Sequence, residues 1–157
     1  MILVLCGTQM QDFSRMIRVV ENLADNNQVV VQAGHTKYKS PKMEIFDFIP
    51  SDKMKELYKN ADYIITHAGA GSMFQAIKTN KKTLVFPRLQ KYGEHVDDHQ
   101  LQLSQKLEDL GYLIVFDEND EIHEKFLFLQ QFIPRFYNLT GNIPTLINNC
   151  ISDYLGL

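Results

Sequence analysis

The sequence predicts an α/β fold: a Rossmann-like, doubly wound, mostly parallel sheet of about six strands. Two observations carry that expectation. Short apolar runs, rich in β-branched and aromatic residues, recur along the chain and end in Gly, Pro or polar residues, as strands buried on both faces do. The segments between them repeat their apolar residues at helical spacing. Strands alternating with helices make βα units, whose long crossovers give parallel pairing.

The elements follow in order. The first strand is Ile2–Leu5 (ILVL), closed by a glycine turn at Gly7. A helix over 13–24 puts Phe13, Met16, Ile17, Val20, Leu23 and Ala24 on one stripe. Strand 28–32 carries three valines, and strand 45–49 reads IFDFI. Pro50-Ser51 opens a helix over 51–59 with Met54, Leu57 and Tyr58, Ser51 acting as N-cap. Strand 63–66 (YIIT) precedes a helix over 72–79 with Met73, Ala76 and Ile77. Strand 83–86 (TLVF) is followed by a long loop and a helix over 97–110, which stops at Gly111 as a helix with a C′ glycine does. Strand 112–116 (YLIVF) completes the sheet, and helices over 121–136 and 143–155 close the chain. The order places a switch point near strands 1 and 4, and the ligand crevice on the carboxyl edge beside it.

Composition bounds the function. The 157 residues read as one domain, 1–157, with 143–157 an amphipathic C-terminal helix. Lys and Arg total 16 against 19 Asp and Glu, so there is no basic field of the kind nucleic-acid binders use. With two cysteines, Cys6 and Cys150, neither a disulfide framework nor a zinc site is expected. Residues 1–6 are too short an apolar run for a signal peptide or a membrane span.

Three motifs fall on the carboxyl edge. Cys6-Gly7-Thr8-Gln9 follows strand 1, where a glycine lets the backbone turn and approach a ligand ahead of a helix N-terminus suited to phosphate. His67-Ala68-Gly69-Ala70-Gly71-Ser72 follows strand 4. It resembles G-x-G-x-x-G, but Phe74 breaks the dinucleotide fingerprint, and no P-loop pattern is present. What remains is a small-residue loop with Ser72 as N-cap and room for a ribose or diphosphate; Gln75, one turn on, is placed to reach a ribose diol. The third motif runs from Pro87-Arg88 through Tyr92-Gly93-Glu94-His95-Val96-Asp97-Asp98-His99-Gln100, a long loop dense in hydrogen-bonding side chains. Asp97 or Asp98 caps the next helix, with His99 and Gln100 in its first turn. His35, after strand 2, lies on the same edge. A metal reading competes here, because His95 and His99 have i, i+4 spacing, but it requires both on a helix and no H-E-x-x-H is present. Ser72 lacks the G-x-S-x-G elbow of a hydrolase.

Taken together, Gly7-Thr8-Gln9, residues 58–70 (YKNADYIITHAGA) and the Pro87-to-Gln100 segment resemble the C-terminal domain of family 28 glycosyltransferases, the donor half of a GT-B fold. The resemblance covers nearly the whole chain and runs to one-domain catalytic subunits of split enzymes. These are the bacterial capsule and exopolysaccharide type and the eukaryotic dolichyl-diphosphate N-acetylglucosaminyltransferase type. It implies a UDP-sugar substrate, no cofactor and no metal. It implies diphosphate and ribose contacts from Gly7, Thr8, Gln9, His67, Ala68, Gly69, Ala70, Gly71, Ser72, Gln75 and Arg88. It also implies sugar contacts from Glu94, His95, Asp98, His99 and Gln100. His95 or Glu94 is the expected general base, unless the other half of the enzyme supplies it. Related enzymes often carry Glu, which binds the ribose hydroxyls, where this chain has Gln75.

The expected reaction moves a hexose, galactose first, from UDP-sugar to a polyprenyl-diphosphate-linked saccharide in capsule or exopolysaccharide synthesis. The expected partner is a membrane-anchored helper carrying the acceptor half, which would recruit a cytoplasmic chain to the inner membrane face. The stripe of Ile143, Leu146, Ile147, Cys150, Ile151, Tyr154 and Leu155 is the expected contact with it. Two other readings stay open: a relative of sugar-nucleotide epimerases, and a non-catalytic nucleotide-binding regulator.

Overall fold

The structure, a computed structural model, describes residues 1–96, 99–138 and Ser152. The expected helix over 143–155 with its partner-docking stripe, Cys150, Asp97, Asp98 and the side chain of His99 lie outside the described residues.

Six strands form one sheet: β1 Ile2–Leu5, β2 Val29–Gln32, β3 Glu44–Phe46, β4 Tyr63–Thr66, β5 Lys82–Val85 and β6 Ile114–Val115. Their order is β3-β2-β1-β4-β5-β6, and every pairing is parallel. The helices are α1 Ser14–Glu21, α2 Ser51–Asn60, α3 Ala70–Lys78, α4 His99–Asp109 and α5 Ile122–Gln131. The chain winds outward from β1 to β3, returns through α2 to β4 beside β1, and winds the other way to β6. The β1–β4 junction is therefore the switch point, and the loops after β1 and β4 diverge there to leave a crevice.

Alternation along each strand builds two core layers. Ile2, Val4 and Cys6 point to one face with Phe13, Met16, Ile17 and Val20 from the α1 side and Phe126 and Leu129 from α5. Leu3 and Leu5 point to the other, against Tyr58 of α2 and Ala76 of α3. That second face continues under α4 through Met73, Val85, Leu103 and Leu107. No helix among the described residues is long and apolar enough to cross a membrane.

Several boundaries depart from expectation, each for a local reason. β3 has three residues rather than five and is half exposed, because it is an edge strand with only β2 to pair with. The expected helix over 13–24 ends at Glu21, and 22–26 continue as turns. The helix expected over 121–136 stops at Gln131, with Phe132 extended at ψ 133°. Pro134 bars the residue before it from helical backbone and has no N–H to continue the ladder. Helix α3 starts two residues early, at Ala70, so Ser72 lies inside the first turn and is not the N-cap; Gly69 is. Gly111, at φ +80°, ends α4 as expected.

Candidate functional site

The crevice at the switch point is built around His67, the first residue after β4. Its Nδ1 lies 3.3 Å from the Leu5 carbonyl oxygen, so the proton sits on Nδ1 and Nε2 carries the lone pair. Burial pushes its pKa down to about 4, against the smaller raising effect of the Leu5 bond, so the ring is neutral at pH 7. Two glycines make room for it. A Cβ on Gly7 would meet the ring at 2.5 Å, and one on Gly69 would meet Nε2 at 2.1 Å. Gly7 also sits at φ +81°, where side chains are strained. Both motif glycines are thus demanded by the histidine before any ligand is considered.

Gln32, the polar residue that closes β2, fixes the backbone of Gly7 from below. Its Oε1 accepts from Gly7 N at 3.2 Å, and its Nε2 donates to Gly7 O and to Asp47 O, each at 3.1 Å. The sequence reading passed over this residue. Its signal was a lone buried amide ending a valine run.

The expected phosphate site ahead of α1 is not available. The helix begins only at Ser14, six residues beyond Thr8, and Asp12 already accepts from Ser14 N and from its hydroxyl. Thr8 is exposed and Gln9 partly buried in the intervening loop. The α3 N-terminus is the opposite case. Its cap, Gly69, has no side chain, its first turn carries no acid, and the Cα of Gly71 faces open space. Its first N–H groups and dipole are free for an anion, with His67 and Ala68 at the base. Gln75 does not join them. It is exposed further along α3, beside Tyr58, Lys59, Thr79 and Lys81, because helical rotation turns it away from the strand ends.

The loop after β5 holds two further corrections. Arg88, expected as a cation for the diphosphate, is only 1% exposed. Its guanidinium donates to the carbonyls of Cys6, Gln11 and Glu94 and lies 4.4 Å from the Phe13 ring. It ties the loop after β1 to the loop after β5, and its Nη donors are spent on protein carbonyls. Glu94, expected as base and sugar contact, is buried, and its carboxylate is taken. It accepts from Arg15 Nε at 2.8 Å, Arg15 Nη2 at 2.7 Å and Leu89 N at 2.9 Å. Both of its oxygens are engaged within the protein, so the carboxylate is not turned toward a ligand.

His95 lies 2.7 Å, Nε2 to Nε2, from Gln100. With the amide donating, that ring nitrogen accepts, and its lone pair is not free for general-base work. His95 also precedes α4, so the helical i, i+4 pair with His99 does not form, and no metal-holding group of three occurs among the described residues. Gln100 itself is buried, and its Oε1 has no partner among the described residues. On the far side of the crevice His35 packs edge-on against Phe48 at 5.2 Å, and Phe48 is half exposed at the carboxyl edge.

A parallel doubly wound sheet, with a glycine-lined crevice and a helix N-terminus without a side-chain cap at its switch point, defines a Rossmann-like α/β domain. Within that class, the glycosyltransferase family 28 C-terminal domain matches residues 1–138, and the chain belongs to that family. Among curated relatives, the UDP-N-acetylglucosamine transferase subunit ALG13 of Candida albicans is 32% identical over 79 residues, half of this chain and 26% of that protein. A UDP-N-acetylglucosamine–N-acetylmuramyl-(pentapeptide) pyrophosphoryl-undecaprenol N-acetylglucosamine transferase of Myxococcus xanthus is 26% identical over 114 residues, 73% of this chain and 28% of that one. The match thus spans little more than a quarter of either relative. An NMR structure of ALG13 superposes with a TM-score of 0.62, covering 98% of this chain and 96% of that one at 19% identity, which is a likeness of fold.

Proposed function

We propose that the chain is the donor-binding, catalytic-type subunit of a glycosyltransferase. It would hold a UDP-sugar at the switch-point crevice and transfer the sugar to a lipid-linked saccharide acceptor. The observation that carries the reading is the uncapped, acid-free α3 N-terminus beside neutral His67, flanked by Gly7 and Gly69. In transfer, the acceptor hydroxyl oxygen bonds the anomeric carbon as the bond to the β-phosphate oxygen breaks, its proton passes to a base supplied by the acceptor half, and charge builds on the leaving diphosphate. Helix N–H groups aimed at that charge stabilise it without a metal ion. A diphosphate beside His67 favours the protonated ring, which donates from Nε2 while Nδ1 keeps its bond to Leu5. Phe48 offers an exposed aromatic face for the nucleobase.

The acceptor half belongs to a second, membrane-anchored subunit, which recruits this chain to the cytoplasmic membrane face. The name of the Candida relative, a transferase subunit, supports a partner. Both relatives are named for N-acetylglucosamine, which favours that sugar over the galactose of capsule-type enzymes. The test is a panel of UDP-N-acetylglucosamine, UDP-galactose and UDP-glucuronic acid against the chain, alone and co-expressed with its membrane helper. Turnover in the pair with UDP-N-acetylglucosamine is the expected result. Turnover with UDP-galactose alone restores the capsule-type assignment. Interconverted free nucleotide-sugar, or binding without turnover in every pairing, overturns the transferase reading.

A further inference from the structure

The loop from Pro87 to Val96 has little apolar anchorage, since Tyr92 and Val96 are exposed. It is held instead by polar contacts reaching across the sheet edge. Arg15, on the first turn of α1, grips it at two places: the Glu94 carboxylate through the paired bonds described above, and the Pro87 carbonyl through Nη2 at 2.8 Å. Its guanidinium lies 4.7 Å from the Phe86 ring centroid and 4.9 Å from that of Tyr92, so it is fixed by stacking as well. Gly93, at φ +68°, makes the turn that folds Glu94 back, where it also accepts from Leu89 N. The residue after Glu94 is His95, which contacts Gln100, the side chain whose buried acceptor has no partner among the described residues.

We infer that Arg15 and Glu94 act as one positioning pair, setting the 87–96 loop so that His95 and Gln100 read the sugar of the donor. The inference rests on the donor-binding reading above. The geometry explains why the two act together. The Glu94 side chain is 5% exposed and that of Arg15 24%, so removing Arg15 leaves a buried carboxylate uncompensated, while neutralising Glu94 removes the grip by which Arg15 holds the loop. The pair contacts neither His67 nor the α3 N-terminus. Its loss therefore reaches the sugar and spares the nucleotide diphosphate. An Arg is needed for this, because the fork spans two carboxylate oxygens and a Lys ammonium does not.

The experiment compares Arg15→Ala, Arg15→Lys and Glu94→Gln with the unsubstituted full chain. Calorimetric titration is run with UDP and with UDP-N-acetylglucosamine, and turnover is measured in the co-expressed pair. The expected result is UDP affinity within about twofold in all variants. UDP-N-acetylglucosamine affinity relative to UDP falls about tenfold or more, alike in Arg15→Ala and Glu94→Gln and less in Arg15→Lys. Hydrogen exchange quickens at the Leu89 and Glu94 amides and not in the strands. If Glu94→Gln abolishes turnover at unchanged affinity while Arg15→Ala is harmless, Glu94 is a base and the inference is wrong. Equal weakening of both ligands, or of neither, also overturns it. If the unsubstituted chain binds UDP but its variants discriminate the sugar as before, the inference fails and the donor-binding reading stands. If it binds neither UDP nor any UDP-sugar, both fall.

Discussion

His67 sets both the chemistry and the pH response of the crevice. Its ring is buried and neutral in the native state, with a pKa near 4 against 6.5 for an ordinary histidine. Between those values the unfolded chain binds a proton that the folded chain does not, so stability falls as pH drops from 6.5 toward 4 and is fully present above 6.5. The size of the effect is about 3 kcal/mol at its limit. Urea midpoints measured between pH 7 and pH 4.5 should therefore fall steeply for the native protein. They should fall less for His67→Asn, whose amide still bonds the Leu5 carbonyl but does not titrate. Parallel curves for the two proteins would show that His67 does not drive the loss. The same ring accounts for Gly7 and Gly69, so these glycines read as phosphate-binding in the sequence but serve the histidine first.

On the donor-binding reading, helix α3 supplies the anion site of the crevice, and its first turn can be tested in isolation. Gly71 faces open space, so Gly71→Asp adds a carboxylate without a clash. An acid there complements the helix dipole and raises stability by about 0.3–1 kcal/mol, after removal of a helix glycine adds its own share. The same charge repels a diphosphate. We expect a higher melting temperature together with at least about tenfold weaker UDP binding. Unchanged UDP affinity would move the diphosphate away from α3. This element also marks how far the sequence could be read. The strand ends and the small-residue loop were legible because Gly and His directly follow a β-branched run, and such patterns are local. The start of α3 was not, because Ser72 looks like a cap, whereas the N-cap position falls on Gly69, which has no side chain to signal it. Helix α5 was read too long because its apolar spacing continues past Gln131 through Phe132, Ile133 and Phe136. The roles of Arg88 and Glu94 were out of reach for a different reason. Arg88 bonds Cys6, 82 residues away, and Glu94 bonds Arg15, 79 residues away, contacts that only the assembled sheet edge creates. Their charge suggested ligand binding; their burial makes them braces.

At the scale of the whole molecule, the sheet carries two core layers whose residues alternate along the same strands, so neither layer can loosen without the other. Ile64 and Ile65 are adjacent on β4, both fully buried, yet Ile64 packs in the α2–α3 layer and Ile65 in the α1–α5 layer. Replacing either by Ala removes buried methyl groups and leaves a cavity, at a cost of about 2–5 kcal/mol. That is a large fraction of the roughly 5–15 kcal/mol that separates folded from unfolded chains of this kind. If the described residues unfold as one unit, Ile64→Ala and Ile65→Ala both shift a single transition. Far-UV circular dichroism and tyrosine fluorescence should then stay coincident in urea for each variant. Tyr58 reports on the layer of Ile64, while Tyr63 packs on Phe126 in the layer of Ile65, so the fluorescence samples both sides. A variant in which fluorescence changes well before the dichroism would mean that one layer melts alone. The crevice would then sit on a sheet braced from only one face, and the fixed geometry of His67, Gly7 and Gly69 that the donor-binding reading needs would not survive the loss of either layer's helices.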